Sequence, residues 1–387
     1  MHILPVASGK GGVGKSLFTA NLGIALGQAG KKVILVDLDL GASNLHLLLG
    51  ERRPGKGIGY FLNEPRSQLS EYIQPTQYKN VSFIPGDSEI PGMADLKAAQ
   101  KQRLKKALSG LDTEYLLLDL GAGTTTHTID FFLLSGSGTL VTTPTPTAIV
   151  NGYVFIKTVV FRLLHTACKK GSPGEKVLKR LEKESSNLQR IYILDLLKEI
   201  LEVDPDSYER FQALSRKFHP RLVLNMLVNP KDADRAYKLR RSCQQYLGLD
   251  LDHLGIMYRD ELQDTALTSG LPIVVYKPKS VLSQAIFRIA DKFIQYELEY
   301  EDEDEDGNFL PDSDFGDDGF EAADLEAKLD YESKIEYLED LLQTGALTLG
   351  DVMETLKTQQ FEVQKLKQEN TLLKKKLVEA IERGYLE

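Results

Sequence analysis

Gly9-Lys10-Gly11-Gly12-Val13-Gly14-Lys15-Ser16 decides how the rest of this chain is read. The spacing G-x-x-x-x-G-K-S is that of a phosphate-binding loop, which needs a strand before it and a helix after it. Both are written into the flanks. Ile3-Leu4-Pro5-Val6-Ala7 is an apolar run of strand length, and residues 17–26 read as the following helix. Glycines let the backbone wrap tightly enough for the amides of Gly11, Gly12, Val13, Gly14, Lys15, Ser16 and Leu17 to face phosphate oxygens at the positive end of that helix. In such a loop Lys15 reaches the β- and γ-phosphates and the Ser16 hydroxyl ligates Mg²⁺, so ATP or ADP with Mg²⁺ is the expected ligand. Lys10 is surplus to that chemistry. A second ammonium beside Lys15 adds repulsion unless it projects elsewhere, for instance into a partner's site.

Outward from the loop, short apolar runs alternate with helical patterns to about residue 300. That alternation predicts an α/β fold, a doubly wound and mostly parallel sheet covered on both faces. The clearest strands are residues 33–36, 81–84, 115–118, 138–142 and 221–226. After the first of these comes Asp37-Leu38-Asp39, two carboxylates on one face by period-two alternation. Leu116-Leu117-Leu118 leads into Asp119, a single carboxylate on a rigid strand, which is what a Mg²⁺-linked acid beside the loop serine requires.

The 387 residues carry 47 basic and 56 acidic side chains, a formal net charge of -9. That balance disfavours a general nucleic-acid binder, and the locally basic stretch 231–241 reads as a solvated helix face. Cys168 and Cys243 lie far apart without metal-ligand spacing, so a reducing compartment is expected. The loop begins almost at the first residue and no uninterrupted apolar run is long enough to span a bilayer, so a cytoplasmic protein without a leader is expected.

Residues 1–296 are expected to form the nucleotide domain, with a helical insertion at about 169–220 whose apolar positions Leu178, Leu181, Leu188, Ile191, Leu194, Leu197, Ile200 and Leu201 recur at helical spacing. Residues 297–321 are rich in Asp and Glu and read as a solvated, disordered linker. Residues 322–387 read as helical. Within 349–383, Leu356, Val363, Asn370 and Leu377 take one heptad position and Gln359, Leu366, Leu373 and Ala380 another, with Glu362 opposite Lys367 and Glu369 opposite Lys374. The lone Asn among apolar seam residues favours a parallel two-stranded coiled coil.

Lys10 inside the loop, Asp37 and Asp39 after the second strand, and Asp119 before Gly121-Ala122-Gly123 together resemble the deviant-Walker P-loop ATPases of the MinD/ParA superfamily. The stretches 39–50, 142–147 and Leu224-Asn225-Met226 resemble its MinD and FlhG-like branch. The resemblance implies that Lys10 crosses a dimer interface to the partner's ATP and that Asp39 orients the attacking water. It implies that Asp119 supports Mg²⁺ through water, that Asp37 supports the same network, and that Asn225 recognises adenine. The implied activity is slow, partner-stimulated ATP hydrolysis. The implied role is an ATP-dependent homodimer that organises flagella, a division site or another cargo together with a protein partner, in the cytoplasm or peripherally at the inner membrane or a pole.

Two departures qualify the resemblance. Ser16 stands where the family carries Thr, which keeps the hydroxyl. The chain also carries an acidic linker and a heptad helix where MinD has a basic membrane helix, and acidic residues oppose anionic lipid. The alternatives on the same fold are an ATP-dependent ligase, for which no added catalytic cluster is present, and a ParA-like DNA-partitioning ATPase, which the net acidity opposes.

Overall fold

The computed structural model describes residues 1–41, 43–51, 55–86, 96–184, 192–301 and 315–343, and isolated helical positions from 350 to 371. The first half runs β1 (His2–Ser8), α1 (Lys15–Gln28), β2 (Val33–Leu38), α2 (Leu45–Leu48), α3 (Ile58–Asn63), β3 (Gln74–Pro75), β4 (Val81–Ile84), α4 (Ala98–Leu108), β5 (Tyr115–Ala122), α5 (Thr126–Phe132) and β6 (Thr139–Thr142). It continues α6 (Pro146–Ala167), α7 (Pro173–Glu184), α8 (Ile193–Val203), α9 (Pro205–Arg216), β7 (Arg221–Leu227), α10 (Asp234–Leu247), β8 (Asp252–Tyr258), α11 (Leu262–Thr268), α12 (Ile273–Tyr276), α13 (Val281–Glu301) and α14 (Phe315–Gln343). The strands form one sheet in the order β3-β4-β2-β5-β1-β6-β7-β8. Every pairing is parallel except that of β3 with β4.

Apolar runs without polar alternation make these strands because both faces of the sheet are covered. The period of two then sorts each strand between two cores. Ile34, Val36, Leu116, Leu118, Leu222 and Leu224 join the core under α3 to α6, with Phe61, Leu104, Phe132 and Phe155. Val33, Leu35, Tyr115, Leu117 and Val223 join the opposite core, with Phe18 and Leu22 of α1 and Ile286 and Ile289 of α13. The same parity carries Asp37 and Asp119 onto the α1 side, and the two are register partners on adjacent strands. The carboxylates are thus aimed by the same rule that builds the core.

Three features depart from the sequence expectation. Strand β8 lies at the sheet edge, where none was expected. The helix α6 is long and apolar enough in composition to cross a membrane. Its Phe155, Ile156, Val159 and Leu164 are fully buried in the core, which makes it a core helix here. The expected linker is also narrower, because α13 runs to Glu301 and α14 starts at Phe315. From the end of the acidic stretch onward, Phe320, Ala323 and Ala327 form an apolar stripe, and all three are buried. Phe320 packs on Tyr237 and His253 at centroid distances of 4.9 and 4.8 Å, and Tyr258 donates its hydroxyl to the Ala327 carbonyl at 2.7 Å. Lys292 pairs with Glu326 at 2.9 Å, and Arg288 pairs with Asp330. The first compact unit therefore reaches Tyr331, and Glu332–Glu387 is a second unit. The heptad residues Leu356, Gln359, Val363, Leu366, Asn370, Leu373, Leu377 and Ala380 lie outside the described residues.

The insertion is helical as expected, through α7, α8 and α9. Leu178 and Ile200 are fully buried in the core, while Leu194 and Leu201 face solvent; Leu188 and Ile191 lie outside the described residues.

His253 on β8 supplies a pH prediction. Its ring is buried and neither nitrogen has a hydrogen-bond partner among the described residues. Burial, and then the nearby Lys292 ammonium, push it down to about 3. The unfolded chain takes up a proton below about 6.5 that the folded protein refuses, so stability falls by about 1.4 kcal/mol per pH unit as pH drops below that value. His253→Phe keeps an aromatic ring against Phe320 and removes this loss. Urea titrations at pH 7 and 4.5 should show the variant losing about 3 kcal/mol less than the parent; equal losses would exclude His253 as the cause.

Candidate nucleotide-binding site

The site gathers at the carboxyl ends of β2, β5, β1 and β7. The chain steps from β1 towards β2 on one side and later crosses to β6 on the other, which opens a crevice beside β1. The loop 9–14 lies there. Gly12 and Gly14 have φ of 78° and 87°, a left-handed backbone that a β-carbon disfavours. Gly14 is the N-cap of α1, and that helix has neither a side-chain cap nor an acid in its first turn. The first ladder bond there is Phe18 N–H to the Gly14 carbonyl at 2.9 Å, so the amides of Lys15, Ser16 and Leu17 precede the ladder. A β-carbon built at Gly11 or Gly12 would meet no protein atom within 4 Å. A positive helix end, unladdered amides and open space above them suit a phosphate chain.

Lys15 is buried, and its ammonium lies 2.6 Å from Asp119 Oδ1 and 3.2 Å from Ser16 Oγ. Thr19, one turn further along α1, sits 3.3 Å from the same carboxylate oxygen and also donates to the Lys15 carbonyl at 3.0 Å. Asp37 accepts from Ser43 Oγ at 2.6 Å, from the Leu45 amide at 3.1 Å and from the Asp39 amide at 3.1 Å. Burial, and then the Asp119 carboxylate, push Asp37 up to about 7 against those hydrogen bonds. Two acids held together in a buried place, with one lysine between loop and strand, form a set that a divalent cation would relieve. Ser8, the last residue of β1 before the loop, has a buried hydroxyl without a partner among the described residues.

The structure therefore brings Lys15, Ser16, Asp37 and Asp119 together, with half-buried Asp39 just past the end of β2. Asp119 lies inside β5, which continues to Ala122, whereas the sequence suggested a strand end. Lys10 is elsewhere: it is exposed, and its ammonium approaches Thr147 Oγ1 at the start of α6 at 3.4 Å. Asn225, the expected adenine reader, is buried against the loop itself and donates to the Val13 carbonyl at 2.8 Å. Thr19, Ser43 and Thr147 were missed as site residues. Thr19 was findable, since it stands four residues after Lys15 and so on the same helical face.

The sequence profile of the CobQ/CobB/MinD/ParA nucleotide-binding domain matches residues 4–367. The flagellum site-determining protein YlxH of Helicobacter pylori is 37% identical over 158 residues, 40% of this chain and 52% of that protein. The septum site-determining protein MinD of the same organism is 35% identical over 124 residues, 31% of this chain and 45% of that protein. The chain thus spans about half the length of these curated relatives. The structure of MinD complexed with Mg-ADP from Pyrococcus horikoshii superposes with a TM-score of 0.51 at 22% identity, covering 76% of this chain and 97% of that one, a likeness of fold.

Proposed function

This chain belongs to the CobQ/CobB/MinD/ParA nucleotide-binding family, and from that premise we propose that it is an ATP hydrolase whose ATP-bound homodimer is a switch for placing a cellular cargo. The observation that carries the reading is the divergence of the two loop lysines. Lys15 turns inward to Asp119, and Lys10 stands exposed beside α6. One lysine serves its own site and the other is free in direction to serve a second copy's.

In this reading the amides of Gly11 to Leu17 and the Lys15 ammonium hold the phosphates, and Ser16, Asp119 and Asp37 are the residues that would hold Mg²⁺. Mg²⁺ when bound supplies positive charge to the phosphate oxygens. Asp39 orients a water by accepting its hydrogen bond, and Lys10 of each protomer adds a cation to the other's phosphates. Hydrolysis removes that contact, so the pair separates; a ligand shifts an equilibrium only through such a difference between states. The names of the relatives suggest a flagellar or division-site cargo, and the place proposed for the protein is the cytoplasm, peripherally at the inner membrane or a pole. Turnover is slow and rises with a protein partner. The heptad in 349–383 gives the protomers a second, nucleotide-independent way to pair.

Lys10→Ala tests the switch. ATP-driven dimerisation followed by light scattering should vanish, while affinity for MgADP stays within about threefold, because a contact made only across the dimer adds nothing to the isolated site. A variant that dimerises as the parent does would remove Lys10 from the interface.

A further inference from the structure

Asn225 interrupts the apolar run of β7 and is only 3% exposed. Its side-chain amide is used at both ends. Nδ2 donates to the Val13 carbonyl at 2.8 Å, and Oδ1 accepts from the Met226 amide at 2.8 Å. Met226 has φ of 61°, a left-handed conformation unfavourable for a residue with a β-carbon, and the second of these bonds holds it there. On the other side, a β-carbon built on Gly14 would lie 2.2 Å from Asn225 Nδ2, so the amide rests flush against the loop at its N-cap glycine.

We propose that Asn225 is a positioning residue for the phosphate loop, acting through Val13. The peptide joining Val13 to Gly14 is planar and trans, so its C=O and N–H point to opposite sides. Fixing the Val13 carbonyl towards β7 turns the Gly14 N–H the other way and keeps it available as a donor. Val13 is itself buried, which fixes the rest of that peptide. This role rests on the nucleotide reading above and sharpens it: the contact is to the loop, so its loss weakens every polyphosphate ligand by one factor, whatever base the ligand carries.

The test uses the full chain with Asn225→Asp, which keeps an acceptor for Met226 and sets an oxygen against the Val13 carbonyl, and with Asn225→Leu, which removes both bonds. Thermal melting establishes that each variant is folded. Inorganic tripolyphosphate and MgADP should both bind at least about tenfold more weakly, by a common factor, since one charge-adjacent hydrogen bond is at stake. The preference for ATP over GTP should not change. In ligand-free protein, amide exchange in the peptide covering the loop should quicken about tenfold or more, with β5 unchanged. Retained tripolyphosphate binding with a collapsed ATP preference would make Asn225 a base reader and overturn the proposal, as would unaltered loop exchange. Failure of the parent protein to bind either ligand would instead sink the nucleotide reading, and the ligand-free exchange would still decide on the loop.

Discussion

Replacing Lys15 with Met should weaken nucleotide binding by roughly 100-fold and also make the protein less stable, and the two losses have separable causes. The ammonium is buried and paired with buried Asp119 at 2.6 Å. Removing it takes a charge-assisted contact from the phosphates, worth about 3 kcal/mol or roughly 100-fold in Kd. It also leaves the Asp119 carboxylate buried with Thr19 as its remaining polar partner. Breaking a buried pair from one side costs about 3–5 kcal/mol, because the surviving charge keeps its desolvation penalty. Adding Asp119→Asn removes that charge and should restore most of the stability without restoring binding. Urea unfolding and calorimetric titration with MgADP, on both variants at pH 5 and 8, read the two effects independently. Stability that stays low in the double variant would show that packing of the lysine stem, and not the orphaned acid, is responsible.

That pairing marks where the sequence stops being legible. The loop, its strand and its helix could be read because they are contiguous, and fully covered parallel strands announce themselves as apolar runs. Asp37 and Asp39 could be placed on one face by counting in twos. The partnership of Lys15 with Asp119 spans 104 positions and depends on β5 lying beside β1, which no local pattern states. β8 escaped notice for a different reason. His253 and Gly255 interrupt its apolar run, and Gly255 is there because a β-carbon would lie 2.7 Å from Ile289 of α13, so a close helix crossing breaks the apolar signal of the strand. The start of α14 was hidden by composition: Phe320, Ala323 and Ala327 are few among acids, yet they suffice to dock a helix. Asn225 is the instructive case. A resemblance gave it a role by position, and its amide also donates to the loop at Val13 and accepts from Met226 on its own strand.

Asp39→Ala should leave ATP binding nearly intact and stop the cycle after dimerisation. Asp39 lies just past β2, half-buried, and its backbone amide donates to Asp37. That hydrogen bond needs no side chain, so alanine keeps the turn and the Asp37 network. The carboxylate itself lies beside Gly121, where a β-carbon on that glycine would be 3.5 Å from Asp39 Oδ1. It is close to the β5 end. Its removal therefore deletes an acceptor for water while leaving the Lys15, Ser16 and Lys10 contacts in place. Loss of a group that orients or deprotonates the nucleophile lowers turnover by about 10²–10⁴-fold. ATP affinity should stay within about threefold, and the dimer should persist on light scattering for as long as ATP is present. Because the ATP-bound pair is also the form that engages a partner in the proposed switch, the variant should retain that partner where the parent releases it. Phosphate release at the parent's rate would take Asp39 out of the chemistry. Slow release from a dimer that still falls apart quickly would instead separate hydrolysis from dissociation and undo the switch.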